Sequence, residues 1–358
     1  MKRAEIEARV LAQIRRGVDV SPDEESFDGL ARALFDHQYR HGEAYRRLCR
    51  AEGLSPDNLR HWTEIPAVPT EAFKQARLAS FPAERTRRVF RTSGTTGGRR
   101  GELHLDTLAV YEASLLETFR AYICPGREKP RFLVLAPSAA QAPDSSLSYM
   151  YDFAARRLGA DEPRFYVDAQ GWQPERLLGD LEALSGPAAV VGTAFAFVHL
   201  AERLAAEGRR LELPEGSRAM ETGGFKGRSR ELEREALHGL ISESLGVPPE
   251  RIVNQYGMCE LGSQFYEPSL RCGIVTRVKR IPPWVRTRVI DPVTRNDAPE
   301  GDVGVLVHYD LANTGSVLAV ETADAGRRIG DGFEVLGRWT GAEPRGCSIA
   351  ADALLDPT

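Results

Sequence analysis

No stretch of the 358-residue chain approaches the roughly 18 consecutive apolar residues that a membrane span requires. The opening residues, MKRAEIEARVLAQIRRG, carry charge in every turn and lack an apolar h-region, so no signal peptide is expected in them. Cysteine is scarce: Cys49, Cys124, Cys259, Cys272 and Cys347 are five in number, odd and unclustered. That usage argues against a disulfide framework and for a reducing compartment, here expected to be the cytoplasm. The seven histidines show no zinc spacing. Surplus charge is missing too, since 47 Lys and Arg stand against 51 Asp and Glu, a net charge of −4. Such a balance gives no nucleic-acid footprint and no pull toward an anionic membrane. What is present, 42% hydrophobic and 27% charged residues, is the composition of a globular chain with a real core, in one large domain or two.

Residues 1–60 read as helical, with apolar positions at three- and four-residue spacing: Ile6, Val10, Leu11 and Ile14, then Leu30, Leu34 and Tyr39. From about Arg87 the texture changes to short apolar runs alternating with helical stretches. Arg131–Ala136, Ala188–Gly192 and Arg251–Asn254 are strand candidates, with helices expected over Ala194–Glu207 and from about Ser229 to Leu245. Strands alternating with helices predict an α/β architecture containing parallel sheet. After Trp284 the segments VRTRVID, GDVGVLVHYD, GSVLAVETAD and GFEVLGR predict a small β-rich subdomain. The expected division is therefore 1–60 helical, 61–282 α/β core and 283–358 β-rich with a short tail.

The most informative stretch is Thr92-Ser93-Gly94-Thr95-Thr96-Gly97-Gly98, followed by Arg99 and Arg100. Glycines let backbone N–H groups approach an anion, hydroxyls add donors, and the arginines add charge. It is no Walker A loop, because no Lys-Ser/Thr follows the last glycine. By composition alone a surface turn also fits. As a motif it resembles the phosphate loop of the adenylate-forming superfamily, which includes the acyl-CoA synthetases. Companions follow in that superfamily's order. Glu221-Thr-Gly-Gly-Phe225, with Gly223 and Gly224, resembles the segment lying along adenine. Gln255-Tyr-Gly-Met-Cys-Glu260 resembles the Tyr-Gly-x-Thr-Glu motif. There the ring (here Tyr256, followed by Gly257) stacks on adenine and the carboxylate (here Glu260) holds Mg²⁺, a task for oxygen ligands. Cys259 stands where that motif has Thr. Glu321-Thr-Ala-Asp-Ala-Gly326 resembles the Thr-Gly-Asp element whose Asp, here Asp324, binds the ribose hydroxyls. Gly337-Arg338 resembles the hinge that follows. Each segment singly fits a turn, a core aromatic or a solvated carboxylate; their shared order carries the reading.

A closer resemblance lies in Ile65-Pro-Ala-Val-Pro-Thr-Glu-Ala-Phe-Lys74, Asn254–Tyr266, Pro282-Pro-Trp-Val-Arg286 and Arg345-Gly-Cys-Ser348. Together these resemble the LuxE-type acyl-protein synthetases over about residues 60–352. The resemblance implies an α/β fold like the N-terminal domain of adenylate-forming enzymes, with mixed sheets flanked by helices and a small C-terminal β subdomain. It implies ATP and Mg²⁺, activation of a carboxylic acid, by family a fatty acid, as acyl-AMP, and transfer to Cys347. From there the acyl group would pass to an acyl-CoA-reductase-like or carrier-protein partner. On residue chemistry alone, Cys347 reads first as a small inert thiol, although Arg345 nearby, partly opposed by Glu343, would favour its thiolate. The 20 residues after Arg338 fall short of the roughly 40 that an independent domain needs. The mobile domain that supplies a catalytic lysine in acyl-CoA synthetases is therefore not expected, and Lys226 is the substitute candidate. Two other readings stay open: a ligase passing the acyl group to CoA, an amine or a carrier thiol without Cys347, and a catalytically silent nucleotide-binding subunit.

Overall fold

The apolar runs marked above become strands of a mixed α/β architecture. A computed structural model describes residues 1–93, 99–223 and 233–339. Two compact units emerge, both discontinuous in sequence. One comprises Met1–Glu117, Met258–Gln264 and the described residues from Arg280 on; the other comprises Thr118–Gly257 and Phe265–Lys279. Among the described residues no helix is long and apolar enough to cross a membrane.

In the first unit the N-terminal helices Arg3–Arg15, Glu24–His41 and Glu43–Ala51 fold with strands from the far end of the chain. Asp23 caps the second helix by accepting from Ser26 N (3.0 Å), and Glu24 and Glu25 in its first turn oppose the positive end of the dipole. Its buried stripe is Phe27, Leu30, Ala31, Leu34 and Phe35, and then, unexpectedly, Gln38. Val285–Ile290, Val303–Asp310, Ala319–Ile329 and Gly332–Arg338 pair antiparallel in that order, and Val68–Pro69 joins Ala319–Ile329 in parallel. Aromatic contacts tie helix to strand: Trp62 meets Phe27 at 5.4 Å and Tyr309 at 4.8 Å, both edge to face.

The second unit is a mixed sheet with helices. Phe265–Tyr266 runs antiparallel to Ile252–Tyr256, after which Arg218–Thr222, Ala188–Thr193, Arg131–Leu135 and Arg164–Phe165 continue in parallel. Leu133, Val190, Phe197, Leu237 and Ile241 belong to its hydrophobic core. Strands covered by helices on their faces read as continuous apolar runs, which is why Ala188–Gly192 was visible in the sequence.

Burial in the first unit has a pH consequence. His308 is fully buried on its strand, its Nδ1 lies 2.9 Å from Thr287 Oγ1, and burial drops its pKa to about 3. Between that value and 6.5 the unfolded chain binds a proton that the folded chain does not. Stability from this group is therefore complete above pH 6.5 and is lost as pH falls, by up to about 1.4 kcal/mol per pH unit. Asp310, also buried, is pushed up to about 6 and has the opposite sign. Comparing His308→Leu with the parent isolates the histidine. Thermal midpoints at pH 7.5 and 5 should show a smaller acid-induced drop in the variant; equal drops would refute the assignment.

Candidate active site

Arg88–Arg91 and Glu102–Leu105 pair antiparallel, with Arg91 opposite Glu102, which brings Thr92 and Gly101 together at the end of the pair. The base of the intervening segment is closed by Thr92 N donating to Gly101 O (3.0 Å) and Gly101 N donating to Thr92 Oγ1 (2.9 Å). Arg100 folds back on this base, its Nε donating to Thr92 O (2.5 Å) and its Nη2 donating to Arg91 O (3.2 Å). One of the two arginines expected to face an anion is thus engaged with the loop's own carbonyls. Arg99 and Ser93 are exposed. Gly94, Thr95, Thr96 and Gly97 lie outside the described residues.

The carboxylate of Glu260 comes to this base. Glu260 is buried in the turn Met258–Gln264, and its Oε1 lies 3.6 Å from where a Cβ on Gly101 would stand. That same point is 3.1 Å from Thr92 Cγ2 and 3.4 Å from Phe73 Cβ, in the Ile65–Lys74 motif. Any side chain at position 101 would crowd this space, so glycine keeps the loop stem against the carboxylate. Trp284 of the Pro282–Arg286 motif serves the same turn: its buried indole N–H points to Ser114 Oγ (3.0 Å) and Ser263 Oγ (3.1 Å). A buried carboxylate beside a hydroxyl-bearing loop fits Mg²⁺, a hard cation that takes one or two protein carboxylates and completes its shell with phosphate oxygens and water.

Asp324 and Arg338 face each other across the strand pair, Asp324 Oδ1 lying 3.3 Å from Arg338 Nε. The aspartate side chain is largely buried and the arginine mostly exposed. Asp324 N also donates to Thr322 Oγ1 (3.0 Å).

In the second unit Gly223 and Tyr256 follow the register pair Thr222 and Gln255, at the carboxyl ends of adjacent parallel strands. That edge is where open parallel sheets bind ligands. Gly223 has φ +81°, which favours glycine at the point where the strand ends. Tyr256 is half-buried, 6.0 Å from the Phe265 ring, and Gly257 is exposed. Gly224, Lys226 and Cys347 lie outside the described residues. Among the other cysteines, burial pushes Cys49 up to about 12 and Cys124 up to about 11, so both thiols are protonated at neutral pH. Cys272 is exposed.

Behind this edge lies a polar cluster that sequence reading did not find. Glu221, buried, accepts from Asn254 Nδ2 (2.5 Å) and lies 3.2 Å from His238 Nε2. Glu267, fully buried, accepts from Lys279 Nζ (2.6 Å), Asn254 N (3.2 Å) and Arg234. Burial lowers the pKa of Lys279, an effect its contact with Glu267 opposes. Removing one partner of such a pair costs about 3–5 kcal/mol because the other charge is stranded. Asn254 touches both carboxylates one residue before Gln255-Tyr256. The only sequence signal was charge inside otherwise apolar segments, RAMET and SQFYEP.

Residues 5–355 match the family described as acyl-protein synthetase, LuxE. A long-chain-fatty-acid–luciferin-component ligase of Aliivibrio fischeri is 25% identical over 308 residues, covering 84% of this chain and 78% of that protein. Its counterpart in Vibrio harveyi is 22% identical over 337 residues, covering 90% and 86%. Among solved structures, an open conformation of 2-hydroxyisobutyryl-CoA ligase in complex with 2-HIB-AMP and CoA matches with a TM-score of 0.63. Identity there is 17%, over 88% of this chain and 69% of that one, so the likeness is one of fold. The fold is that of the adenylate-forming enzymes.

Proposed function

The chain belongs to the LuxE family of acyl-protein synthetases, and on that premise we propose that it activates a long-chain fatty acid as acyl-AMP and passes the acyl group through Cys347 to a partner protein. The observation that carries the first half is the buried carboxylate of Glu260 at the base of the Ser/Thr/Gly hairpin loop. In this reading Thr92, Ser93, Thr95, Thr96 and the amides of Gly94 and Gly97 surround the phosphates, while Tyr256 stacks on adenine beside Gly223, Gly224 and Gly257. Asp324 receives the ribose hydroxyls, with Arg338 as the neighbouring cation, and Lys226 offsets charge on the α-phosphate. Bound Mg²⁺ would neutralise phosphate charge, and Glu260 would hold it.

The fatty acid's carboxylate oxygen attacks the α-phosphorus, the bond to the β-phosphate oxygen breaks, and pyrophosphate leaves with the electron pair. The thiolate of Cys347 then attacks the acyl carbon, the bond to AMP breaks, and the thiol proton goes to solvent. The thioester suits onward transfer to a reductase-like or carrier-protein partner. The relatives' names, each a fatty-acid ligase acting on a luciferin component, support this substrate class.

Acid-dependent ATP–pyrophosphate exchange with a chain-length series of fatty acids tests the reading. Exchange should require a fatty acid, and Asp324→Ala should weaken ATP binding roughly 10- to 150-fold, the loss of charge-assisted bonds worth about 1.5–3 kcal/mol. Discrimination between ATP and 2′-deoxy-ATP should shrink in that variant. Unchanged discrimination would move the ribose contact elsewhere, and absence of exchange with any fatty acid would overturn the substrate class.

A further inference from the structure

The turn that carries Glu260 is held from a segment far along the chain. Asn313 Nδ2 donates to the Glu260 carbonyl oxygen at 2.9 Å, with both residues buried. Ser263 Oγ donates to Asp310 Oδ1 at 2.8 Å, and Ala312 N donates to the same oxygen at 2.9 Å. Gly262 runs so close to this segment that a Cβ on it would lie 2.9 Å from the Ala312 carbonyl carbon. The supporting segment is itself buried from Leu311 through Val320. Its polar backbone must therefore be satisfied by protein, and the partners come from near the N-terminus. Gln38 is the central one: its Nε2 donates to Asn313 O (3.0 Å), and its Oε1 accepts from Leu318 N (2.8 Å). Ser80 N donates to Gly315 O (2.9 Å), and Ser316 Oγ donates to Leu78 O (2.7 Å). This accounts for a fully buried glutamine in the otherwise apolar stripe of the helix Glu24–His41.

We propose that Asn313 is a positioning residue for the Glu260 carboxylate, and that Gln38 makes the second helix part of the same device by holding Asn313. The inference rests on the reading of Glu260 as the Mg²⁺-binding carboxylate. Its physical basis is that a bond to a residue's own carbonyl fixes the peptide plane, hence the direction in which Cβ leaves the backbone. A side chain confined in a buried space has few open rotamers with which to correct an error in that direction. Groups that orient a metal ligand without touching the metal are commonly worth 10- to 100-fold in metal affinity. A merely structural bond would change stability and nothing else.

The test reads metal linkage rather than turnover. ATP binding to the full chain is measured by calorimetry with Mg²⁺ and with EDTA, and the ratio of the two affinities is the Mg²⁺-dependent gain. Glu260→Gln should lose most of that gain. Asn313→Ala should reduce it about 10-fold while leaving the affinity in EDTA near that of the parent, and Gln38→Leu should reduce it in the same direction by less. In the Glu260→Gln background, Asn313→Ala should change nothing further, the non-additivity expected of residues acting through one group. Full gain in Asn313→Ala and Gln38→Leu, with the gain lost in Glu260→Gln, overturns the proposal and leaves the metal assignment standing. Full gain in Glu260→Gln means that the metal assignment itself is wrong. Should Asn313→Ala fail to fold, Gln38→Leu decides alone, because it breaks the relay one bond further from the site.

Discussion

Glu260→Gln should slow acid-dependent pyrophosphate exchange at least about 100-fold, equivalent to about 2.7 kcal/mol of barrier. The size of the effect follows from what the substitution keeps and removes. Glutamine matches the volume of glutamate, so the space beside Gly101 stays filled, and the Asn313 bond to the backbone carbonyl is untouched. The negative charge is lost, and with it the group proposed to pair with a divalent cation in a buried setting, where a charge interaction is stronger than in water. Circular dichroism and the thermal midpoint should stay close to the parent's, separating loss of chemistry from loss of fold. Wild-type-like exchange in a folded variant would remove Glu260 from the site.

Replacing Cys347 by serine should abolish the second half-reaction and spare the first. Acyl-AMP formation and the initial burst of pyrophosphate should proceed at near-normal rates. Intact-mass spectrometry after incubation with ATP and fatty acid should find no hydroxylamine-labile adduct, and transfer to a partner reductase should cease. An alcohol stays protonated without a nearby base, so serine lacks the nucleophile rather than the bulk. If the thiol meets the adenylate, ATP with fatty acid should alter the proteolytic sensitivity of the residues after Arg338. An adduct retained in the variant and mapped to another cysteine would refute the acylation site. Exposed Cys272 is the first to inspect, since burial keeps Cys49 and Cys124 protonated. Acyl-AMP without any adduct in the parent protein would instead favour direct transfer to CoA, an amine or a carrier thiol.

Much of the chemistry was legible because it is local. Three glycines among four hydroxyl residues at 92–98 can be read without knowing what lies across from them. The strand runs at Arg131–Leu135 and Ala188–Thr193 were legible for a similar reason, because a strand covered on both faces announces itself as an uninterrupted apolar run. Their order along the chain sufficed for the architecture, and the order of the motifs sufficed for the family. Individual side chains are less legible: Arg100, whose charge suits an anion, also donates to the carbonyls of its own hairpin.

Gln38 carries no local mark that separates it from the other polar residues of its helix. Only the folded chain brings it to Asn313 and Leu318, 275 and 280 residues away, and makes it a buried clamp. Glu267 and Lys279 likewise carry no local mark that names their partners, yet both are buried and paired. The physical reason is common to all three. Hydrophobic periodicity and motif order are properties of the chain itself, so the sequence by itself determined the elements and the reaction class. Whether a polar side chain can be buried depends on a partner that satisfies it, and for these residues the tertiary structure alone decided which partner that is.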